Sequence, residues 1–394
     1  MTTSYRNIFL LACCQALLLT NAAGLISMNG LVGYSLVDAK TIATLGATTY
    51  VLGSALSTMP MSLWMAKVGR RRGFMTGAVI NIGGCGLAVV SLWLGSFALY
   101  CLATAVIGIY NAVGLQYRFA AAEVAAPKDR ARAISLVLAG GIGGGFLGPA
   151  ITRWGKDMFA APFLGSFMLL AGVALVALAV QSRVEVPKPT ASESAGGGRP
   201  LREIVRQPVF IVAAMAGGLG YGLMNLLMTA TPLAMDFCSL PYAQAATVIS
   251  WHVVGMYAPG FFTGSLINRF GVLNVILAGV VVMVAGTAMA LTGNDLTHFL
   301  VALLLVGIGW NFMYIGGTTL LTESYTPAEK ARTQGANDFI VFSVMAVSSF
   351  TSGALVSAAG WETMNWGALP FLLLVAAVVV WYSRHRGRAA ATRS

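Results

Sequence analysis

Met224 and Met228 stand four residues apart, as do His252 and Met256. In a helix that spacing turns both side chains of a pair to one side. Thioether sulfur and imidazole nitrogen, with no carboxylate among them, favour a soft monovalent cation such as Cu(I) over Mg, Ca or Mn, which take oxygen ligands. The methionine pair alone is a weak signal. The chain has 18 methionines, a second pair with the same spacing at Met61 and Met65, and methionine commonly fills gaps in cores. The histidine pair is less expected, because there are only 3 histidines. An imidazole deep in an apolar span is a functional candidate, since hydrocarbon cannot satisfy its ring nitrogens. The competing reading is a core histidine bonded to a carbonyl or hydroxyl of a neighbouring helix.

These residues must be placed by membrane-spanning helices. The chain has 394 residues, 57% hydrophobic and 9% charged, with mean hydropathy +0.79. A soluble domain carries about 25% charged residues, so a soluble enzyme of this length is excluded. Apolar stretches predict twelve spans at 8–36, 41–66, 73–95, 97–124, 131–153, 158–181, 208–235, 241–267, 272–293, 296–322, 336–359 and 365–383, each long enough to cross a bilayer. Met224 lies before Asp236 and His252 after Pro241 by nearly equal lengths of chain. Both therefore fall about 17 Å below the outer surface, near the midplane, at 1.5 Å per residue.

Residues 183–207, with PKP, SESAGGG and four arginines, form the longest polar stretch. They read as a cytoplasmic linker between an N-terminal six-helix bundle, 1–182, and a C-terminal bundle with a basic tail, 208–394. With the N-terminus inside, inner loops and tails hold 20 of the 24 Lys and Arg residues and outer loops only Lys40, Arg153 and Lys156. That asymmetry puts both termini in the cytoplasm. The +11 net charge then meets anionic lipid head groups and implies no nucleic acid. No cleavable signal peptide is read, and the first helix stays. The cysteines Cys13, Cys14, Cys85, Cys101 and Cys238 form no CxxC arrangement, which argues against a disulfide framework or zinc site. No HExxH, nucleophile elbow or phosphate-cradling run occurs, so the enzyme class fails on inventory.

The two halves repeat. Glu123, Pro127, Asp129, Arg130, Ala131 and Arg132 recur as Glu323, Pro327, Glu329, Lys330, Ala331 and Arg332, and Asn111 as Asn311. Lys67, Gly69 and Arg70 precede the third span as Asn268, Arg269 and Gly271 precede the ninth. Parallel repeats of six helices are one of the transporter architectures. On these residues the whole chain resembles the major facilitator superfamily. GSLINRFG is similar to that family's loop signature G-x-L-x-D-R-x-G, with Asn268 where an acid is usual, and WMAKVGRRR has Ala66 in the acid's place. Both departures remove a carboxylate that could pair with basic residues at a cytoplasmic gate. The run Gly140 to Pro149 is similar to a fifth-helix signature of some antiporters, and also suits close helix packing.

Within that family the methionine and histidine motifs resemble those of the CcoA-like bacterial copper importers. The resemblance implies a twelve-helix, all-α carrier in the bacterial cytoplasmic membrane that works by alternating access. Copper would be its transported substrate, with no permanently bound cofactor. The metal ligands would be Met224, Met228, His252 and Met256, with Cys238 as an accessory thiol. Cytosolic copper acceptors for cuproprotein assembly would be its partners, and the protein a monomer among membrane lipids. An inward-moving monovalent cation gains about 2.3 kcal/mol per 100 mV, so no second ion is required. Arg118, inside the fourth span, is expected to bind an anionic group or to pair with Glu123. The first alternative is an importer of an organic solute such as riboflavin, using Tyr110, Asn111, Gln116, Trp310, Asn311 and Tyr314, with Arg118 in the same cavity set. The others are an efflux carrier and a copper-binding sensor or assembly factor.

Overall fold

A backbone in hydrocarbon has no water to satisfy its hydrogen bonds, so an apolar segment must satisfy them internally as a helix. The computed structural model, which describes residues 3–37, 45–187 and 198–391, meets that demand. Lys40, Lys188 and Arg393 of the charge count, and residues 188–197 of the linker, lie outside the described residues. The helices are α1 Thr3–Leu36, α2 Leu45–Val68, α3 Arg70–Leu94, α4 Phe97–Gly114, α5 Tyr117–Val124, α6 Arg130–Ala139, α7 Gly141–Gly155, α8 Leu164–Gln181, the single turn α9 Leu201–Ile204, α10 Pro208–Phe237, α11 Tyr242–Tyr257, α12 Gly260–Phe270, α13 Val272–Ala290, α14 Leu296–Leu321 and α15 Lys330–Ala391.

The twelve predicted spans map onto these helices with local breaks. The fourth span divides into α4 and α5, the fifth into α6 and α7, and the eighth into α11 and α12, where Pro259 precedes α12. Proline lacks an N–H and cannot continue a helix's bonding. The last two spans form one helix interrupted at Gly360, φ 80° and ψ 166°. Among the described residues, nine helical stretches are long and apolar enough to cross a membrane, α4 counting with α5 and α6 with α7. Trp93, Trp154 and Phe350 are 76%, 70% and 84% exposed, an outward apolar surface suited to lipid rather than water.

The chain forms two compact units. The first holds Met1–Pro127, Leu136–Gly197 and Pro327–Phe339; the second holds Lys128–Ser135, Gly198–Thr326 and Ile340–Ser394. Each unit thus takes in a short segment from the other half of the sequence. In the first, α2 and α3 pack on α4, α1 on α7, and α3 on α8. In the second, α10, α11 and α13 pack on α14. The second and third spans therefore lean on the fourth as the eighth and ninth lean on the tenth, which is the sequence repeat in three dimensions. The α1–α7 contact explains the glycine run: a Cβ at Gly144 or Gly148 would run into the backbone of Ala16, Thr20 or Gly24. Small residues there let two backbones approach closely.

The repeated loops share a local conformation. Gly69, with φ 89° and ψ 154°, precedes α3, and Gly271, with φ 85° and ψ 151°, lies between α12 and α13. This region of backbone space is open essentially to glycine alone. Pro127–Asp129 and Pro327–Glu329 each form one 3-10 turn immediately before α6 and α15. At the start of α14, Asp295 accepts the backbone N–H of His298 at 3.0 Å and meets its ring Nδ1 at 2.8 Å. The hydrogen bond from the His298 ring holds the Asp295 carboxyl below its ordinary range.

Gly69→Ala and Gly271→Ala are each expected to lower stability by about 1–3 kcal/mol, because alanine is strained at that φ. Gly143→Ala, with nothing within 4 Å of the added Cβ, is the control that leaves the unfolding temperature unchanged or slightly higher. Thermal unfolding in detergent measures all three. Equal behaviour of the loop variants and the control would sink the assignment of a backbone role to these glycines.

Candidate functional site

The first unit contains a buried ionic cluster at the end that carries the basic loops. Arg118, on α5, pairs with Asp338, on α15, and their side chains are 1% and 0% exposed. Gln116, at the break between α4 and α5, donates to the second Asp338 oxygen at 3.2 Å and accepts from Arg70 Nη1 at 2.8 Å. Arg70 also donates to Glu123 at 2.8 Å and to Gln334 Oε1 at 2.5 Å. Lys330 Nζ lies 3.4 Å from the same Glu123 oxygen. The acid that meets Arg118 is therefore Asp338, while Glu123, its expected partner, is engaged by Arg70 and Lys330. The carboxylate missing at position 66 is supplied to Arg70 by the end of α5.

The corresponding place in the second unit is neutral. The Ser135 hydroxyl donates to the Gly260 carbonyl and accepts from the Gly264 N–H at 3.0 Å, and Asn268 donates to the Lys128 carbonyl at 2.9 Å. Asn268, the departure from the loop signature, thus works as an amide donor to backbone. A Cβ at Gly264 would meet the backbone of Ala131 and Arg132. Lys67 and Arg269 stand in the last turns of α2 and α12.

The methionine and histidine motifs lie on α10 and α11, which pack chiefly against α14 and much less against one another. Met224 is 1% and Met256 6% exposed, and Met228 is half-buried. His252 is fully buried, and its Nδ1 lies 2.6 Å from the Leu303 carbonyl of α14. Its Nε2 is buried with no hydrogen-bond partner among the described residues. Cys238 is half-buried where α10 ends, its N–H bonded to the Ala234 carbonyl.

Of the residues proposed to line a solute cavity, Trp310 and Tyr314 come together, and two others join them. The rings of Trp310 and Tyr314, one turn apart on α14, stack at 5.0 Å with a 16° interplanar angle. Tyr221 of α10 meets both edge-on, at 5.2 and 5.3 Å, and Tyr257 of α11 meets Trp310 at 5.8 Å. Such edge-to-face and offset pairs are the favoured aromatic geometries. Trp310 and Tyr314 are each 2% exposed, and Tyr221 is half-buried. The buried indole N–H of Trp310 has no hydrogen-bond partner among the described residues. Sequence pattern does not single out Tyr221 and Tyr257. The available signal was their place, one turn before Met224 and one residue after Met256.

The two repeated asparagines tie helices together. Asn311 donates to the Met256 carbonyl at 2.6 Å and accepts from Thr263 at 2.7 Å; Asn111 donates to Ser54 at 3.3 Å. Tyr110 is buried within the first unit, and Gln116 and Arg118 belong to the ionic cluster. In the second unit a cleft of about 340 Å³, lined by Phe210, Ile211, Ala214, Met215, Ile340, Val344 and three further apolar residues, offers no polar side chain to orient a solute.

Several known proteins are similar to the chain over nearly its whole length. The family model described as Major Facilitator Superfamily matches residues 8–256 and 219–394. The riboflavin transporter RfnT of Brucella anthropi is 40% identical over 392 residues, covering 99% of this chain and 98% of that protein. Among solved structures, the transporter FucP in its outward conformation superposes with a TM-score of 0.76 at 14% identity, covering 98% of this chain and 99% of that one. The human organic anion transporter MFSD10 gives 0.76 at 13% identity, covering 96% and 100%. These two likenesses concern the fold. The reading of copper as the substrate is overturned by the full-length likeness to a riboflavin transporter, and the copper acceptors implied only by that reading go with it. The physical reason is that spacing of four residues places side chains on one face without specifying what that face meets.

Removing one member of the buried ion pair leaves an uncompensated charge, which costs about 3–5 kcal/mol. Asp338→Ala is therefore expected to lower the unfolding temperature sharply. The double variant Arg118→Met with Asp338→Leu is expected to recover most of the loss, since an apolar pair of similar volume needs no counter-charge. Thermal unfolding of both variants decides. A double variant as unstable as Asp338→Ala would show that the pair is not the source of the effect.

Proposed function

We propose, from the premise that the chain belongs to the Major Facilitator Superfamily, that it carries riboflavin or a closely similar flavin across the membrane by alternating access. The likeness to RfnT supports the substrate class. The observation in this chain that carries the reading is the aromatic cluster of Tyr221, Tyr257, Trp310 and Tyr314. A flavin is planar, heteroaromatic and uncharged. Its recognition calls for ring faces and edges together with a few directed hydrogen bonds, and for no counter-ion. Tyr221, the half-buried member, is the ring through which the cluster reaches a solute, and the Trp310 N–H is a donor without an acceptor among the described residues.

On this reading the protein takes flavin up across the bacterial cytoplasmic membrane as a monomer, with both termini inside and no resident cofactor. The loops around Lys67, Gly69 and Arg70 and around Asn268, Arg269 and Gly271 act as gates at the inner side. The cluster of Arg70, Gln116, Arg118, Glu123 and Asp338 steadies the first of these gates. Asn111, Asn311 and Tyr110 hold the helices that present the site.

The test is riboflavin uptake by bacterial cells that can neither make nor import the vitamin. The native chain is expected to restore growth at low riboflavin and to show saturable quenching of its tryptophan fluorescence by riboflavin in detergent. An aromatic contact contributes about 0.5–1.5 kcal/mol, so Trp310→Leu, which removes contacts to three rings, is expected to weaken apparent affinity about tenfold. No uptake and no saturable quenching with the native protein would sink the reading.

A further inference from the structure

His252 is a fully buried polar group of the second unit that the aromatic cluster leaves unused. Its Nδ1 lies 2.6 Å from the Leu303 carbonyl. A carbonyl oxygen can only accept, so Nδ1 carries the proton. In a neutral imidazole the other nitrogen is then a pure acceptor. That nitrogen, Nε2, is buried and has no partner among the described residues. Asn365 Oδ1 and the Trp361 indole N–H of the same unit are likewise buried without a partner among the described residues, whereas two polar side chains on the helices packed with α11 are satisfied. The Asn225 amide donates to Ser348 at 2.9 Å and Ser349 at 2.7 Å, and Asn311 is bonded through both its nitrogen and its oxygen. A buried acceptor left open is disfavoured unless something with a donor comes to it.

The position of this acceptor relates it to the rings. Leu303 and Trp310 stand seven residues apart on α14, two turns along one face, or about 10 Å along the axis. His252 and Tyr257 lie on the neighbouring α11, Tyr257 touching Trp310 and His252 touching Leu303. One pair of packed helices therefore presents an open donor, the Trp310 indole N–H, beside the aromatic cluster and an open acceptor two turns away. These are opposite requirements, and a long solute that is aromatic at one place and carries an N–H or O–H at another meets both. Riboflavin has such donors in the imide N–H of its ring system and in the hydroxyls of its ribityl chain.

We propose that His252 is a specificity-determining residue, whose Nε2 accepts a hydrogen bond from an imide N–H or a chain hydroxyl of the carried solute. The proposal rests on the flavin reading above. The Leu303 carbonyl is the positioning group. It fixes the tautomer and holds the ring, so that the site selects for solutes with a donor at this point and against analogues that lack one.

Binding of three flavins to the full chain in detergent, followed by flavin fluorescence, separates the possibilities: riboflavin, riboflavin methylated on the imide nitrogen, and lumiflavin, which has a methyl group in place of the ribityl chain. His252→Leu is expected to weaken riboflavin binding about tenfold, and His252→Gln, which retains an acceptor, to restore most of it. The loss must disappear for one analogue: the methylated flavin if the imide N–H is the partner, lumiflavin if a hydroxyl is. An equal loss for all three flavins would assign His252 to the scaffold and overturn the proposal, as would no loss at all. If the leucine variant fails to fold, the native protein still decides, because native binding that is equal for all three flavins excludes a donor-dependent contact. Failure of the flavin reading itself looks different: the native protein then binds none of the three, and this proposal falls with it.

Discussion

A guanidinium and a carboxylate sealed from solvent, Arg118 and Asp338, set the strongest constraint on this structure. Neither charge can be left alone in an apolar span, because the desolvation cost of each is met only by the other and by surrounding hydrogen bonds. Gln116 and Asn337 add bonds to the carboxylate at 3.2 and 3.1 Å, which makes the pair a network rather than an isolated contact. Asp338 belongs by sequence to the second half of the chain, yet Pro327–Phe339 is part of the first compact unit. The need to pair Arg118 is a physical reason for that placement. Lys330 and Gln334, one turn apart on α15, reinforce it through Glu123 and Arg70.

The repeat makes the singularity of this network visible. At the 200-residue offset, Thr318 stands where Arg118 does, Leu138 where Asp338 does, and Ile134 where Gln334 does. The backbone devices are duplicated, including the 3-10 turns and the positive-φ glycines, and Glu123 and Lys330 have the counterparts Glu323 and Arg130, but the Arg118–Asp338 pair has none. Lys128–Ser135 is held in the second unit by a hydroxyl, an amide and close backbone approach at Gly264. Two similar folds therefore hold similar segments by different chemistry.

Much of the architecture is legible in the residues, because hydropathy reports directly on where a chain can be helical in lipid. The twelve spans, the repeat, and the packing role of Gly144 and Gly148 all follow from composition and spacing. The partners of polar groups do not. Arg118 and Glu123 are five residues apart, and proximity in sequence makes them an obvious pair; Asp338, 220 residues away, is reachable only through tertiary packing. The ring cluster is half legible for the same reason. Trp310 and Tyr314 share a helix face, but Tyr221 and Tyr257 reach them from α10 and α11, and no local periodicity relates the three helices.

Side-chain chemistry without its surroundings also explains why a soft-metal reading arises here. Methionines and a histidine at four-residue spacing fit a soft cation on residue type alone, and the same residues fit an apolar helix interface. The difference lies in where each atom is already committed. The imidazole of His252, anchored through Nδ1 to a carbonyl, is a directional acceptor with a fixed tautomer. Set on α11 beside the helix that bears Trp310 and Tyr314, that acceptor and an indole N–H without a partner among the described residues are what the proposed flavin contact draws on. Recognition of that kind requires neither a carboxylate nor a metal in the apolar interior. The buried charges lie instead on α3, α5 and α15 of the first unit, where they steady the fold.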